Sequence, residues 1–257
     1  MKKQQIYEFY WFGTCLRFLQ DTATGYEIHV EGGVLHNIEQ FFKYLKDLEL
    51  YVTERVASAK LKSTLEELKS DKNTEVLSET QAKHISDSID IIRVTLDAEL
   101  AGIHAYTPTP KRLDLDRLLS DVKKLFSPAV FDSLPDIAKH DFTEAGKCIA
   151  FETPTAAAFH ILRGTESVLR NYYEEMIRQK RIKSQMWGPI VIDLRKRSKT
   201  KPHEVLNNHL DNIRASFRNP TQHPEAIYDI HEVQDLWSVC VDVVNRMVKI
   251  LKDHGYA

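Results

Sequence analysis

An all-α fold is what this sequence predicts, and three observations predict it. Apolar residues recur at a helical period over most of the chain. Glycine and proline number only nine each in 257 residues, which suits helices better than strands joined by tight turns. Helix-start signals precede the apolar stripes, as at Ser78-Glu79-Thr80-Gln81, Thr153-Pro154 and Asp229-Ile230-His231-Glu232.

Residues 1–32 are the exception. Ile6–Phe12 and Tyr26–Val30 are aromatic and β-branched, with Gly25 and Gly32-Gly33 as punctuation, and read as two short strands or an irregular packed cap. From Val34 the stripe Ile38, Phe42, Leu45, Leu48, Val52, Val56 and Ala59 predicts a long helix that ends at the polar Ser70-Asp71-Lys72-Asn73. Behind the Ser78 capping box, Ile85, Ile89, Ile92, Leu96 and Ile103 predict a second helix. The two together make a long-helix hairpin. Thr107-Pro108-Thr109-Pro110 breaks it and is a natural boundary or pivot. A short helix follows around 113–126 and another break at Ser127-Pro128, giving an N-terminal region of residues 1–130 and a C-terminal bundle of 131–257.

The bundle opens with a segment near 135–151 carrying Ile137, Phe142 and Ala145. A helix then runs from Pro154 to about Lys180 on the stripe Phe159, Leu162, Leu169 and Tyr173. Glu166 interrupts that stripe, and a carboxylate there needs a partner. Arg163 and Arg170 offer one on the same helix; Arg218 or His223 offers one across the bundle. Leu206, Leu210, Ile213 and Phe217 mark the next helix, and Val233, Leu236, Cys240, Val244, Met247 and Leu251 the last.

Charge and cysteine usage narrow the function classes. The formal net charge is −2, so nucleic acid would have to be met by a local patch rather than by the whole field. One patch stands out: Arg178, Lys180, Arg181, Lys183, Arg195, Lys196, Arg197, Lys199 and Lys201 are opposed only by Asp193, and Trp187 lies between the two basic groups. It reads either as a phosphate-tracking RNA-binding surface or as a solvated loop and helix flank. Cys15, Cys148 and Cys240 lack paired metal spacing, Cys240 sits within an apolar stripe, and no apolar run approaches a membrane span. A soluble, reduced, cytoplasmic protein without membrane contact, metal or cofactor is expected.

The densest chemistry is Arg218-Asn219-Pro220-Thr221-Gln222-His223-Pro224, where an arginine, an amide and an imidazole crowd one proline-bracketed segment. Each proline disfavours the α region for the residue before it, so the helix is expected to stop near Arg218. This segment resembles the Arg-Asn-x-x-x-His motif of the HEPN superfamily. The stretch Phe151–Glu166 also looks like the first-helix segment of bacterial HEPN proteins, and the parts follow in the family's order over roughly 135–254. The resemblance does not reach residues 1–130, and Pro224 departs from the family's usual continuation. It implies a helical bundle, a homodimer with a composite groove, and metal-independent cleavage of RNA in a toxin or antiviral defence system, with a regulatory protein partner conceivable. Arg218, Asn219 and His223 would carry the chemistry, with Glu166 in support, leaving 2′,3′-cyclic phosphate and 5′-hydroxyl ends. A non-catalytic dimerisation or RNA-binding module is the alternative.

Overall fold

The computed structural model describes residues 5–177, 185–197, 200, 203–223 and 226–256, and these are all-α. The chain divides into two compact units, Met1–Tyr106 and Thr107–Ala257.

The first unit contains α1 (Ile6–Gln20), α2 (Val34–Asp47), α3 (Tyr51–Ser70) and α4 (Glu79–Leu100). The expected strand at residues 6–12 is instead the start of α1. Phe12, Cys15 and Leu19 recur at helical spacing and are buried, and the Phe12 ring stacks on Phe41 with centroids 5.5 Å apart. Of the second expected strand only a single antiparallel bridge forms, Glu27 with Val76, as Tyr26–Ile28 clips onto Glu75–Leu77.

The long helix expected from Val34 is two helices. Glu49 turns left-handed (φ 61°), and the Leu50 N–H reaches back to the Leu45 carbonyl at 2.9 Å, closing α2 as a helix C-terminus does. The start of α3 is then capped from another helix. Glu99 of α4 accepts from the Val52 N–H (3.1 Å), the Thr53 N–H (2.8 Å) and the Thr53 hydroxyl (2.6 Å). At Ser78 the expected capping box is present.

The second unit contains α5 (Leu115–Ser120), α6 (Asp136–Ala150), α7 (Pro154–Ile177), α8 (Trp187–Lys196), α9 (Glu204–Ile213), α10 (Asn219–Gln222) and α11 (Ile230–Asp253). Short 3₁₀ turns at Val122–Leu125 and Phe131–Ser133 link α5 to α6. This unit begins earlier than the 130/131 border expected from the sequence. Leu118, Val122, Phe126 and Val130 are buried in its core, where the Phe126, Phe142 and Trp237 rings meet edge to face. The strap after Tyr106 is tied to it as well. The Arg112 N–H donates to Gln234 on α11 at 2.9 Å, and Lys111 pairs with Glu152 at 2.7 Å.

The core is built from α6, α7 and α11, and two glycines set its close approaches. A Cβ on Gly146 would stand 2.6 Å from the Leu118 carbonyl oxygen, and one on Gly164 would stand 3.2 Å from both the Asp141 Cβ and the Phe142 ring. The second contact brings α6 against α7 where the polar site forms. On α11 the expected stripe is buried throughout, including Cys240, whose thiol burial pushes up to about 12. That is a core residue and no nucleophile at neutral pH.

Candidate functional site

An open cleft of about 810 Å³ lies in the second unit. Asp136, Ile137 and His140 of α6 form one wall. Phe159, His160, Arg163, Glu166, Ser167 and Arg170 of α7 form another, and Arg218 and Gln222 close it. Three guanidiniums and two imidazoles line it with two carboxylates, and a third carboxylate, Asp141 behind the wall, pairs with Arg163.

The α7 residues share the cleft because they are spaced as one helical face: 160, 163, 166, 167 and 170. The stripe expected for α7 is therefore only partly core. Leu162, Leu169 and Tyr173 are buried, while Phe159 is exposed at the cleft. Ile137 is likewise exposed rather than packed inside. Together they provide an apolar surface beside the charged groups.

Glu166 does not choose between its helix neighbour and the far side. Its Oε1 accepts from Arg170 at 2.7 Å, while its Oε2 stands 3.4 Å from Arg218 Nη2. Arg163, the other expected helix partner, turns to Asp141 instead. Arg218 reaches Glu166 from an unusual backbone. Residues Arg214–Arg218 form a π-helical turn in which the Asn219 N–H bonds to the Arg214 carbonyl, and α10 follows directly. The expected stop at Arg218 does not occur. Asn219 stays helical (φ −65°, ψ −51°) despite Pro220. A proline inside a regular α-helix would clash with the carbonyl four residues back, and the wider π turn relieves that crowding. Thr221 and Tyr228 brace the segment, both hydroxyls reaching the Phe217 carbonyl, at 2.6 and 3.3 Å. The helix ends at His223, which is extended (φ −95°, ψ 143°), as its following proline predicts.

Among the expected site residues, Arg218 and Glu166 are thus brought together. Asn219 is half-buried and His223 is exposed, and neither is among the residues that line the cleft. Arg218 keeps 22 % of its side-chain surface, yet its Nε is buried without a hydrogen-bond partner. An anionic ligand in the cleft can meet the exposed part of this guanidinium, while Nε itself is shut off from solvent.

The basic run is less available than its sequence suggests. Arg195 pairs with Asp211 at 3.0 Å and donates to Asn208, and Arg197 pairs with Asp193 at 2.5 Å. Trp187 cannot stack on a base, because it is buried with its indole N–H on the Leu210 carbonyl at 2.9 Å. Lys196 is exposed. Arg178, Lys180, Arg181, Lys183, Lys199 and Lys201 lie outside the described residues.

Sequence reasoning missed one cluster. Asp141 on α6 is wholly buried and accepts from His160 Nδ1 at 2.9 Å, Arg163 Nε at 2.7 Å and Arg163 Nη2 at 2.5 Å. Burial acts to raise its carboxyl, but the bonds from Arg163 and His160 outweigh burial and hold it below the ordinary value. The signal was present: Asp141 shares a helical face with Ala138 and Ala145 and demands a partner just as Glu166 does. Among the described residues, no three His, Cys, Asp or Glu side chains converge to hold a metal ion. No helix among them is long and apolar enough to cross a membrane.

Fold and site together define an all-α protein whose second unit carries a cation-lined cleft. No protein-family model, curated protein or solved structure matches the chain.

Proposed function

We propose that the cleft binds the phosphate backbone of RNA and that the protein is a HEPN-type endoribonuclease working without a metal. The observation that carries this reading is Arg218, whose partly exposed guanidinium lines the cleft together with those of Arg163 and Arg170. The likeness of the Arg218–His223 segment to the HEPN motif supports it independently. Arg218 offers a fork to the phosphate as negative charge grows in the transition state. Glu166 holds that fork in place, and Asn219 orients the phosphate or the fork. His223 transfers a proton, the work for which imidazole suits neutral pH. The π turn and its Thr221 and Tyr228 braces fix the segment that bears them.

Cleavage by the 2′-hydroxyl needs one proton removed and one delivered. A homodimer presenting two Arg218–His223 segments to one groove would supply both. In the cell such an activity fits a cytoplasmic toxin or defence effector restrained by a protein partner. The test is incubation of purified protein with mixed RNA in EDTA, followed by mapping of the ends. We expect 2′,3′-cyclic phosphate and 5′-hydroxyl ends. 5′-phosphate ends, or a requirement for added magnesium, would overturn the mechanism. RNA that is bound and left intact would favour the non-catalytic module.

A further inference from the structure

We infer that His160 is a second proton-transfer residue of this cleft, set in place by Asp141, and that Arg163 joins Arg218 in holding the scissile phosphate. The inference rests on the ribonuclease reading and gives the cleft an imidazole of its own, which His223, exposed and outside the lining, does not provide.

The geometry is that of a built device rather than of two surface side chains. Asp141 is inaccessible to solvent and stands behind the cleft wall, while His160 and Arg163 both line the cleft. One carboxylate fixes both groups: Oδ1 meets the His160 ring and Arg163 Nη2, and Oδ2 takes Arg163 Nε. A ring that donates from Nδ1 to the Asp141 carboxylate has Nε2 left to take up a proton. A carboxylate that fixes tautomer and orientation and stabilises the imidazolium once formed is the usual support for a histidine base. The guanidinium of Arg163 has five N–H donors, and Asp141 engages only two nitrogens, so donors remain for a phosphate. The close approach at Gly164 brings Asp141 within reach of both.

The step balances with no further reagent. His160 Nε2 takes the proton of the 2′-hydroxyl as O2′ bonds to phosphorus. The bond from phosphorus to the 5′-oxygen breaks, and the imidazolium of His223 gives its proton to that oxygen. The products are the cyclic phosphate and a 5′-hydroxyl, and proton exchange with solvent resets both rings. Arg163 and Arg218 meet the charge on the non-bridging oxygens.

The charged and titratable groups around His160 are Asp136, His140, Asp141 and Glu144 from α6, Arg163 and Glu166 from its own helix, and Arg218 across the cleft. Any pH profile must be read against these.

The decisive variant is His160→Gln, which removes the imidazole and keeps a polar side chain of similar length. It should fold, bind RNA as the wild type does, and lose about a hundredfold or more in single-turnover cleavage. Asp141→Asn, a positioning change, should lower the rate at saturating RNA while KM changes little, and move the acidic limb of the rate profile to lower pH. In parallel, the histidine ring resonances of the full chain are followed as uridine 3′-monophosphate is added. The resonance missing from His160→Gln should move. A His160→Gln protein that cuts within about threefold of the wild type overturns the inference and leaves the ribonuclease reading intact. A wild type that cuts no RNA overturns the reading. An unmoved His160 resonance at saturating nucleotide removes the residue from the phosphate site whether or not RNA is cut.

Discussion

Arg218 and Glu166, 52 residues apart in sequence, meet at 3.4 Å across the cleft, and the same carboxylate holds Arg170 at 2.7 Å. One acid therefore sits between two guanidiniums and is shared unequally. It holds Arg218 loosely enough that an incoming phosphate can compete for it. It also lowers the positive potential that would draw the phosphate in.

Glu166→Gln separates those roles. Removing the carboxylate raises the positive charge of the cleft by one, so RNA should bind a few-fold more tightly at low salt with a steeper salt dependence. Cleavage at saturating RNA should fall, because Arg218 is no longer held in register. Filter binding over a salt series and single-turnover rates give the two readouts. Parallel loss of binding and rate would show that Glu166 only keeps the bundle folded.

Asp141 makes stability depend on acid. Its folded-state value lies below the ordinary carboxylate value of about 3.9, so the stability it contributes is complete above that value. It is lost as pH falls through the depressed folded value. Asp141→Asn should cost about 1.5–3 kcal/mol at neutral pH, the range for hydrogen bonds to a charged group, and the gap from wild type should close in acid. Urea midpoints followed by tryptophan fluorescence check this, since Trp187 and Trp237 are buried in the second unit. A gap that persists below pH 2 would place the effect in packing.

Much of this fold was legible because it rests on local pattern. The stripe of α11 and both capping boxes emerge where expected, as does the α4 stripe from Ile85 to Leu96, while Ile103 falls beyond the end of α4 and is exposed. Legibility ended where a distant group made the decision. Glu49 closes α2 in a left-handed turn, with α3 then capped by Glu99 from 46 and 47 residues away, and no local signal announces that cap. Pro220 reads as a breaker, and the π turn that accommodates it is likewise a property of the wider helix. Within the site, Glu166 could be suspected from its stripe. Asp141 obeys the same rule on a shorter helix, and its partners are set by the α6–α7 approach at Gly164.

The two close-packed glycines should respond differently to alanine. A new Cβ at Gly146 meets a backbone carbonyl at 2.6 Å, which can yield only by shifting α5. Gly146→Ala should destabilise by about 1–3 kcal/mol despite alanine's better helix propensity. At Gly164 the 3.2 Å contacts are with the Asp141 and Phe142 side chains, so Gly164→Ala should cost less stability and act chiefly on cleavage by displacing Asp141. Denaturant midpoints at constant slope rank the two.

Within the described part of the basic run, Lys196 and Arg197 should part company. Arg197 neutralises a half-buried Asp193 that also accepts from the Tyr173 hydroxyl at 2.7 Å, so Arg197→Ala should lower stability by about 1–2 kcal/mol. Lys196→Ala should leave stability unchanged and flatten the salt dependence of RNA binding by about one charge. An unchanged slope would return this part of the run to a solvated helix flank.

Mixing distinguishes a cleft completed within one chain from one shared between two. Arg218→Ala and His160→Gln are each expected to be nearly inactive and folded. If the imidazole of His160 serves the arginine of its own chain, every subunit in a mixed sample carries one lesion in its own cleft. Combining the two variants should then restore nothing. If the groove is composite, every heterodimer places one intact Arg218 opposite one intact His160, and cleavage should return toward about a quarter to a half of the wild-type rate, the range that random pairing allows. The geometry favours the first outcome, because His160 and Arg218 already line one cleft of about 810 Å³ in a single chain. Recovery on mixing would move the proton transfer into a dimer, and a monomeric mass for a cleaving wild type would keep it in the monomer.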